Sequence, residues 1–170
     1  VINITKIRND IVAGLYSYMN IPVIFMQQNK PKPPYPFISY KITTPFTNDS
    51  QEILTTEKVA SSNPNFDYDI QYTRSEQPQM TISITAYSKD IGESENKALE
   101  ALGWFKFIGR DYLEGKGIVV VDTTAVQNRD TLIVDDYERR IGFDVILRVK
   151  SILTKTVETI EDTDIKRSDN

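Results

Sequence analysis

Val126–Lys150, VQNRDTLIVDDYERRIGFDVILRVK, decides the fold. Ile141, Phe143, Val145, Leu147 and Val149 alternate with Arg140, Gly142, Asp144, Arg148 and Lys150, and Ile146 is the one apolar residue on the second side. A period of two over that length predicts a long strand with one face on a core. The half before it carries Arg129, Asp130, Asp135, Asp136, Glu138, Arg139 and Arg140, seven charges of both signs in twelve residues. A buried strand entered through such a segment implies a domain whose rim makes ionic contacts.

Working outward, Ile118–Val121 is a short apolar run expected to pair with Ile141–Val149 in the middle of the sheet. Met80–Tyr87 alternates with Met80, Ile82, Ile84 and Ala86 inward, and Phe37–Thr43 with Ile38, Tyr40 and Ile42 on one face. Val23–Gln27 reads as a short strand. NKPKPPYP follows, with four prolines in eight residues, a stiff connector that neither helix nor central strand accommodates. Exposed and binding alone, it would make the chain a monomeric adaptor.

Asn3–Asn20 carries Ile4, Ile7, Ile11, Leu15 and Tyr18 at three- and four-residue steps, with Asn3 as cap and Asn20–Pro22 as stop, and predicts a helix packed on the sheet. A second helix follows SKDIGESENKA, with Ala98, Leu99, Leu102 and Phe105 as its stripe and a break expected near Gly109. Residues 44–79 form a long excursion that protrudes as a hairpin, including a weak strand at Ile53–Val59 and an alternating run at Phe66–Tyr72. There Phe66, Tyr68, Ile70 and Tyr72 are either core or a patch for a neighbouring subunit, and Asp67 and Asp69 read as solvated edge charges. The reading is an α+β fold: a mostly antiparallel sheet with two main helices on one face, in α-β-β-β-α-β-β order. Residues 1–150 make one domain, and 151–170 a polar C-terminal arm that composition reads as a frayed tail, with an adjacent subunit as the simplest partner to hold it.

Composition excludes several chemistries. The 170 residues contain no cysteine and no histidine. Disulfides, thiol catalysis, His-dependent triads and His- or Cys-ligated zinc are ruled out with them. What remains is carboxylate, lysine or tyrosine chemistry. Asp135, Asp136 and Glu138 invite a hard-cation reading. Adjacent strand residues face opposite ways, however, and Arg139 and Arg140 stand beside them, so neutralising ion pairs account for the cluster better than a metal. Asn128–Asp130 and Arg139–Arg140 have the arginines of a phosphate site but no glycine-rich loop in the right context. No catalytic, metal or cofactor-binding residue is assigned. The net charge of −4 and a pI near 5.0 speak against a nonspecific nucleic-acid clamp. The chain opens on Val1 rather than Met, which reads as a processed start, and with no signal pattern or long apolar run it is expected to be soluble.

Four segments in order, YPFISYKI, SITAYS before an acidic helix, YLEGKGIVVV, and NRDTLIVDDYERRIGFDVILRV, resemble the tail terminator (neck) proteins of tailed bacteriophages. The similarity runs from Asn3 to Val149, and the 44–79 excursion and polar tail depart from it. The resemblance implies a structural virion protein, assembled in the host cytoplasm, that forms a hexameric ring at the head-proximal end of the tail tube. Such a ring stops tube polymerisation, joins the head connector and lets genomic DNA through without binding it. The implied partners are copies of itself, the tail tube protein and the connector proteins, with no membrane, cofactor or enzymatic activity. Another neck or head-completion ring component is the nearest alternative, and a carboxylate-dependent metal enzyme the more distant one. A ring of one subunit needs two different patches meeting head to tail. The candidate interface is Arg129, Asp130, Asp135, Asp136, Glu138, Arg139 and Arg140 on one side, and Phe66, Tyr68 and Tyr72 on the other. Charge reversal at Arg139 or Arg140 is then expected to impair assembly more than folding.

Overall fold

A computed structural model describes residues 1–26, 31–48, 51–133 and 136–158, with the side chains of 132–137 outside that description. The fold is α+β and mostly antiparallel. Helix α1, Ile4–Met19, is capped by Asn3, whose side chain accepts from the Lys6 N–H at 2.9 Å. Asn20 ends it in the left-handed conformation at φ 53°. Ile7, Ile11, Leu15 and Met19 are its buried stripe.

The main sheet runs β1 (Val23–Phe25), β2 (Phe37–Thr47), β5 (Gln79–Ser88), β9 (Asp136–Val149), β6 (Ile118–Thr123). The short β7 (Gln127–Asn128) and β8 (Thr131–Ile133) also pair with β9. β1 is parallel to β2; every other pairing is antiparallel. Ile141 to Val149 present their odd-numbered residues to the core as the alternation predicts, and Phe143, Val145 and Leu147 are wholly buried. Each such side chain contributes about 1.5–3 kcal/mol by leaving water. β6 does pair with β9, but as the edge of the sheet path rather than its middle. Val119 and Val121 are exposed there because only Ile118 and Val120 turn toward the core.

The helices supply the other layer: two main ones, as expected, and a short third piece after the break at Gly109. α2 (Ile91–Gly103) is capped by Asp90 and passes into a π-helical turn, Trp104–Ile108, before α3 (Arg110–Gly115). Gly109 marks the break for a packing reason. A β-carbon there would stand 2.3 Å from the Trp104 indole, and one on Gly14 of α1 would meet the same ring at 2.7 Å. The indole lies against both backbones, so neither position admits a side chain.

The excursion and the supposed tail are one structure. β3 (Ile53–Ala60), β4 (Tyr68–Glu76) and β10 (Ser151–Glu158) form a second sheet in the order β10-β4-β3. Its strands continue those of the main sheet: β2 leads to β3, β4 to β5, and β9 to β10, so β2-β5-β9 becomes β3-β4-β10. Pro78, which has no N–H to give a ladder, sits at the junction and accepts from Val149 N at 3.1 Å. Ser151–Glu158 is therefore a strand paired along β4, not a frayed end; the remaining residues, 159–170, lie outside the described set.

Candidate subunit interface

The described side chains of the mixed-charge segment find partners within the chain. Arg129 reaches across β9 and β5. Its Nη1 donates to Ser83 Oγ at 2.7 Å and Thr85 Oγ1 at 3.3 Å, and its Nη2 to Asp144 Oδ1 at 3.0 Å. Gly142 lies directly beneath: a β-carbon there would stand 2.9 Å from that guanidinium and 2.5 Å from the Ile84 carbonyl.

Asp130 turns the chain back along β9. Its Oδ1 accepts from the Arg140 N–H at 2.7 Å and its Oδ2 from Arg139 Nη1 at 2.9 Å, while Asn128 adds a third bond. Partial burial pushes the Asp130 carboxyl up, but the Arg140 backbone N–H, the Arg139 guanidinium and the Asn128 amide outweigh it. The net result is a carboxyl held below the usual range.

Glu138 is only 5% exposed. Arg140 grips its Oε2 through Nε at 2.9 Å and Nη2 at 2.6 Å, a two-pronged contact. Its Oε1 accepts from the Tyr35 hydroxyl at 2.6 Å and pairs with Lys32. Tyr35, Phe37 and Tyr87 stack in series, with centroids 5.5 and 4.6 Å apart, and the Arg140 guanidinium lies 5.2 Å over the Tyr87 ring. The proline-rich connector is thereby anchored to the sheet through Lys32 and Tyr35. Asp135 and the side chain of Asp136 lie outside the described residues.

Five of the seven charges thus find ion-pair partners within the chain. Because Glu138 is buried, reversing Arg140 strikes folding as well as any assembly contact, so the expectation that assembly suffers more now applies to Arg139 alone. Lys32, Tyr35, Ser83, Thr85 and Asp144 are partners of these charges and went unread in the sequence. Lys32, Tyr35, Ser83 and Thr85 come from other stretches of the chain, and Asp144, from the same stretch, was read only as a polar position of the strand.

On the arm, Tyr68, Ile70 and Tyr72 share one face of the central strand, half-buried rather than core. Phe66 is also half-buried but sits in the turn before the strand, donating its N–H to Asn63 O at 3.1 Å. Cross-strand neighbours bring Leu54, Arg74 and Leu153 into one row, and Thr56, Tyr72 and Lys155 into the next. Ile53 and Leu54 are each 60% exposed. A groove of about 470 Å³ runs over this surface between Glu52, Leu54, Tyr72, Arg74, Leu153 and Lys155. Asp69 departs from its expected role as a solvated charge: it is 3% exposed, on the central strand's other face. Among the described residues no cluster of three or more carboxylates is arranged to hold a metal, and no helix is long and apolar enough to cross a membrane.

A family model described as phage neck terminator protein matches residues 9–170. The chain belongs to that family. No curated protein matches it. The match runs through the excursion and the arm to residue 170, beyond the Asn3–Val149 span of the sequence resemblance, so β3, β4 and β10 fall inside the region that defines a neck terminator. Membership supports a structural role at the neck of the phage tail, in association with tail and head-connector proteins. The geometry agrees with that role in kind. This neck terminator has a rigid α+β body, a polar face closed by its own ion pairs, and a projecting sheet with apolar surface left in water.

Proposed function

We propose that this neck terminator assembles into a closed ring, a hexamer, on the head-proximal end of the tail tube. There it stops tube polymerisation and presents the surface that joins the head connector. Membership of the neck terminator family carries the reading. The role is structural and requires no cofactor or catalytic residue. The surfaces through which copies meet are the arm that bears Phe66, Tyr68 and Tyr72 and the charged rim of Arg129, Asp130, Glu138, Arg139 and Arg140. Asp135 and Asp136, next to that rim in sequence, belong to the same candidate contact. A net charge of −4 suits a channel wall that genomic DNA passes without adhering, since like charge keeps the duplex off the protein.

Electron microscopy of particles assembled without the protein tests this. Overlong tails of variable length beside unattached filled heads are the expected result. Tails of normal length that fail to join heads would move the protein to the connector side of the neck. Intact infectious particles would overturn the structural role altogether.

A further inference from the structure

A three-stranded sheet is ordinarily stable because one of its faces is buried. The outer strands of the arm have water on both faces, for β3 is exposed along nearly its whole length and β10 beyond Ser151, while Asp69 on the central β4 is covered. The strand register shows that its two faces differ in charge. Lys58, Arg74 and Lys155 share the face of Tyr68 and Tyr72. Arg74 has carboxylates beside it near the base of the arm, Glu52 at 3.0 Å and Glu76 at 3.3 Å. Lys58 and Lys155 instead lie 3.7 and 5.4 Å over the rings of Tyr68 and Tyr72, with no carboxylate in ion-pair range among the described residues.

On the opposite face every charge is acidic. Glu57 is on β3, Asp69 on β4 and Glu158 on β10, with Asp69 directly opposite Glu158 in the register. The rest of that face is threonine, serine, glutamine and aliphatic, with no lysine or arginine among the described strand residues. The buried Asp69 has no hydrogen-bond partner for its Oδ1. A carboxylate oxygen withdrawn from water without a donor carries a desolvation cost that a neighbouring donor would relieve.

We infer that the two faces of the arm are mates, and that the basic, tyrosine-bearing face of one copy stacks on the acidic face of the next. Lys58 and Lys155 then meet the acidic row of the neighbouring copy, and Leu54 and Leu153 leave water against its threonines and aliphatic residues. A second copy fits this surface better than another class of partner, because the same three strands supply both faces and hence equal length and opposite charge. Nucleic acid would be repelled by one face of the pair. The contact is heterologous, leaving each copy one face to give and one to receive, and such contacts continue until the rotation closes a ring. The inference rests on the ring reading above and assigns its surface.

The full chain is tested by sedimentation velocity, with circular dichroism as a control for folding. Wild type self-associates, and less at high salt, where screening weakens the charge contact. Lys58→Glu with Lys155→Glu makes both faces acidic, and Glu57→Lys with Glu158→Lys makes both basic. Each pair is expected to weaken self-association by roughly 100-fold or more, since like charges brought face to face cost several kcal/mol. Mixing the two variants restores assembly, because acidic and basic arms then alternate. If the acidic variant misfolds, Lys58→Gln with Lys155→Gln replaces it and is expected to weaken association to a lesser degree. A folded variant that associates like wild type would overturn the stacking, as would a mixture that stays apart. Wild type that is monomeric up to roughly millimolar concentration would also overturn it. In that case overlong tails in particles lacking the protein would leave the terminator role standing and remove this surface from it.

Discussion

The guanidinium of Arg129 occupies the space that a side chain on Gly142 would need. Nη1 lies 2.9 Å from the position of the missing β-carbon and bonds Ser83 Oγ at 2.7 Å. The glycine interrupts the side chains of β9 so that a cation from the neighbouring turn can lie flat on the sheet.

Gly142→Ala is expected to destabilise the fold by about 1–3 kcal/mol, the usual cost of forcing extra atoms into a packed site. Removing the cation as well does not rescue it. In Arg129→Ala with Gly142→Ala the new methyl still meets the Ile84 carbonyl, 2.5 Å away, and that atom is held by the sheet. Urea melts of the two single variants and the double variant check this. Recovery of wild-type stability in the double would show that Arg129 alone demands the glycine.

Arg140 and Arg139 are neighbours with unequal consequences. Arg140→Ala leaves the buried Glu138 with Lys32 and Tyr35 alone and is expected to cost about 3 kcal/mol, at the low end for breaking a buried pair. Arg139→Ala removes one contact to Asp130 at a more exposed site and is expected to cost about 1 kcal/mol or less. Thermal unfolding of both at neutral pH decides the order, and equal losses would mean that the burial of Glu138 has no energetic weight.

Asp130 makes stability depend on pH in a defined direction. Its carboxyl is held below the ordinary range in the fold, so its contribution is fully present above the unfolded pKa of about 3.9. The contribution is lost as the pH falls through the lower folded value. Asp130→Asn should therefore be less stable than wild type at pH 7, with the gap narrowing as the pH falls below about 4. A gap unchanged by acid would contradict the hydrogen bonds assigned to that carboxylate.

Trp104 is the chain's one tryptophan, which makes its clamp optically visible. A methyl on Gly109 must displace the indole, because the β-carbon would stand 2.3 Å from it. Gly109→Ala is expected to shift tryptophan emission to longer wavelength and to lower stability by about 1–3 kcal/mol. Unchanged emission would mean that the ring accommodates the methyl without leaving its site.

The parts of this fold that separate an inside from an outside were legible in the sequence. Ile141–Val149 alternates because one face meets the helices, and Ile7, Ile11, Leu15 and Met19 recur because one stripe meets the sheet. β10 was illegible for the converse reason. Ile152, Thr154 and Thr156 oppose Leu153, Lys155 and Val157, and both rows are exposed, so neither periodicity nor polarity marks a strand. The ionic segment announced its charge but not its partners. Arg129 bonds residues 44 and 46 positions earlier in the chain, and Glu138 a tyrosine 103 positions earlier. Such distances are set by the order of strands in the sheet. Asp69 was misread as solvated because its neighbours Asp67 and Gln71 are polar, and local polarity does not reveal how far the fold covers a strand position.

The junction at Pro78 has a mechanical consequence. The arm does not hang from a single linker: β4 runs on into β5 through Gln77–Pro78, and β9 into β10 through Lys150. A pull along those strands is divided between covalent backbones that leave the body as neighbours in its sheet, and no one connection carries it alone.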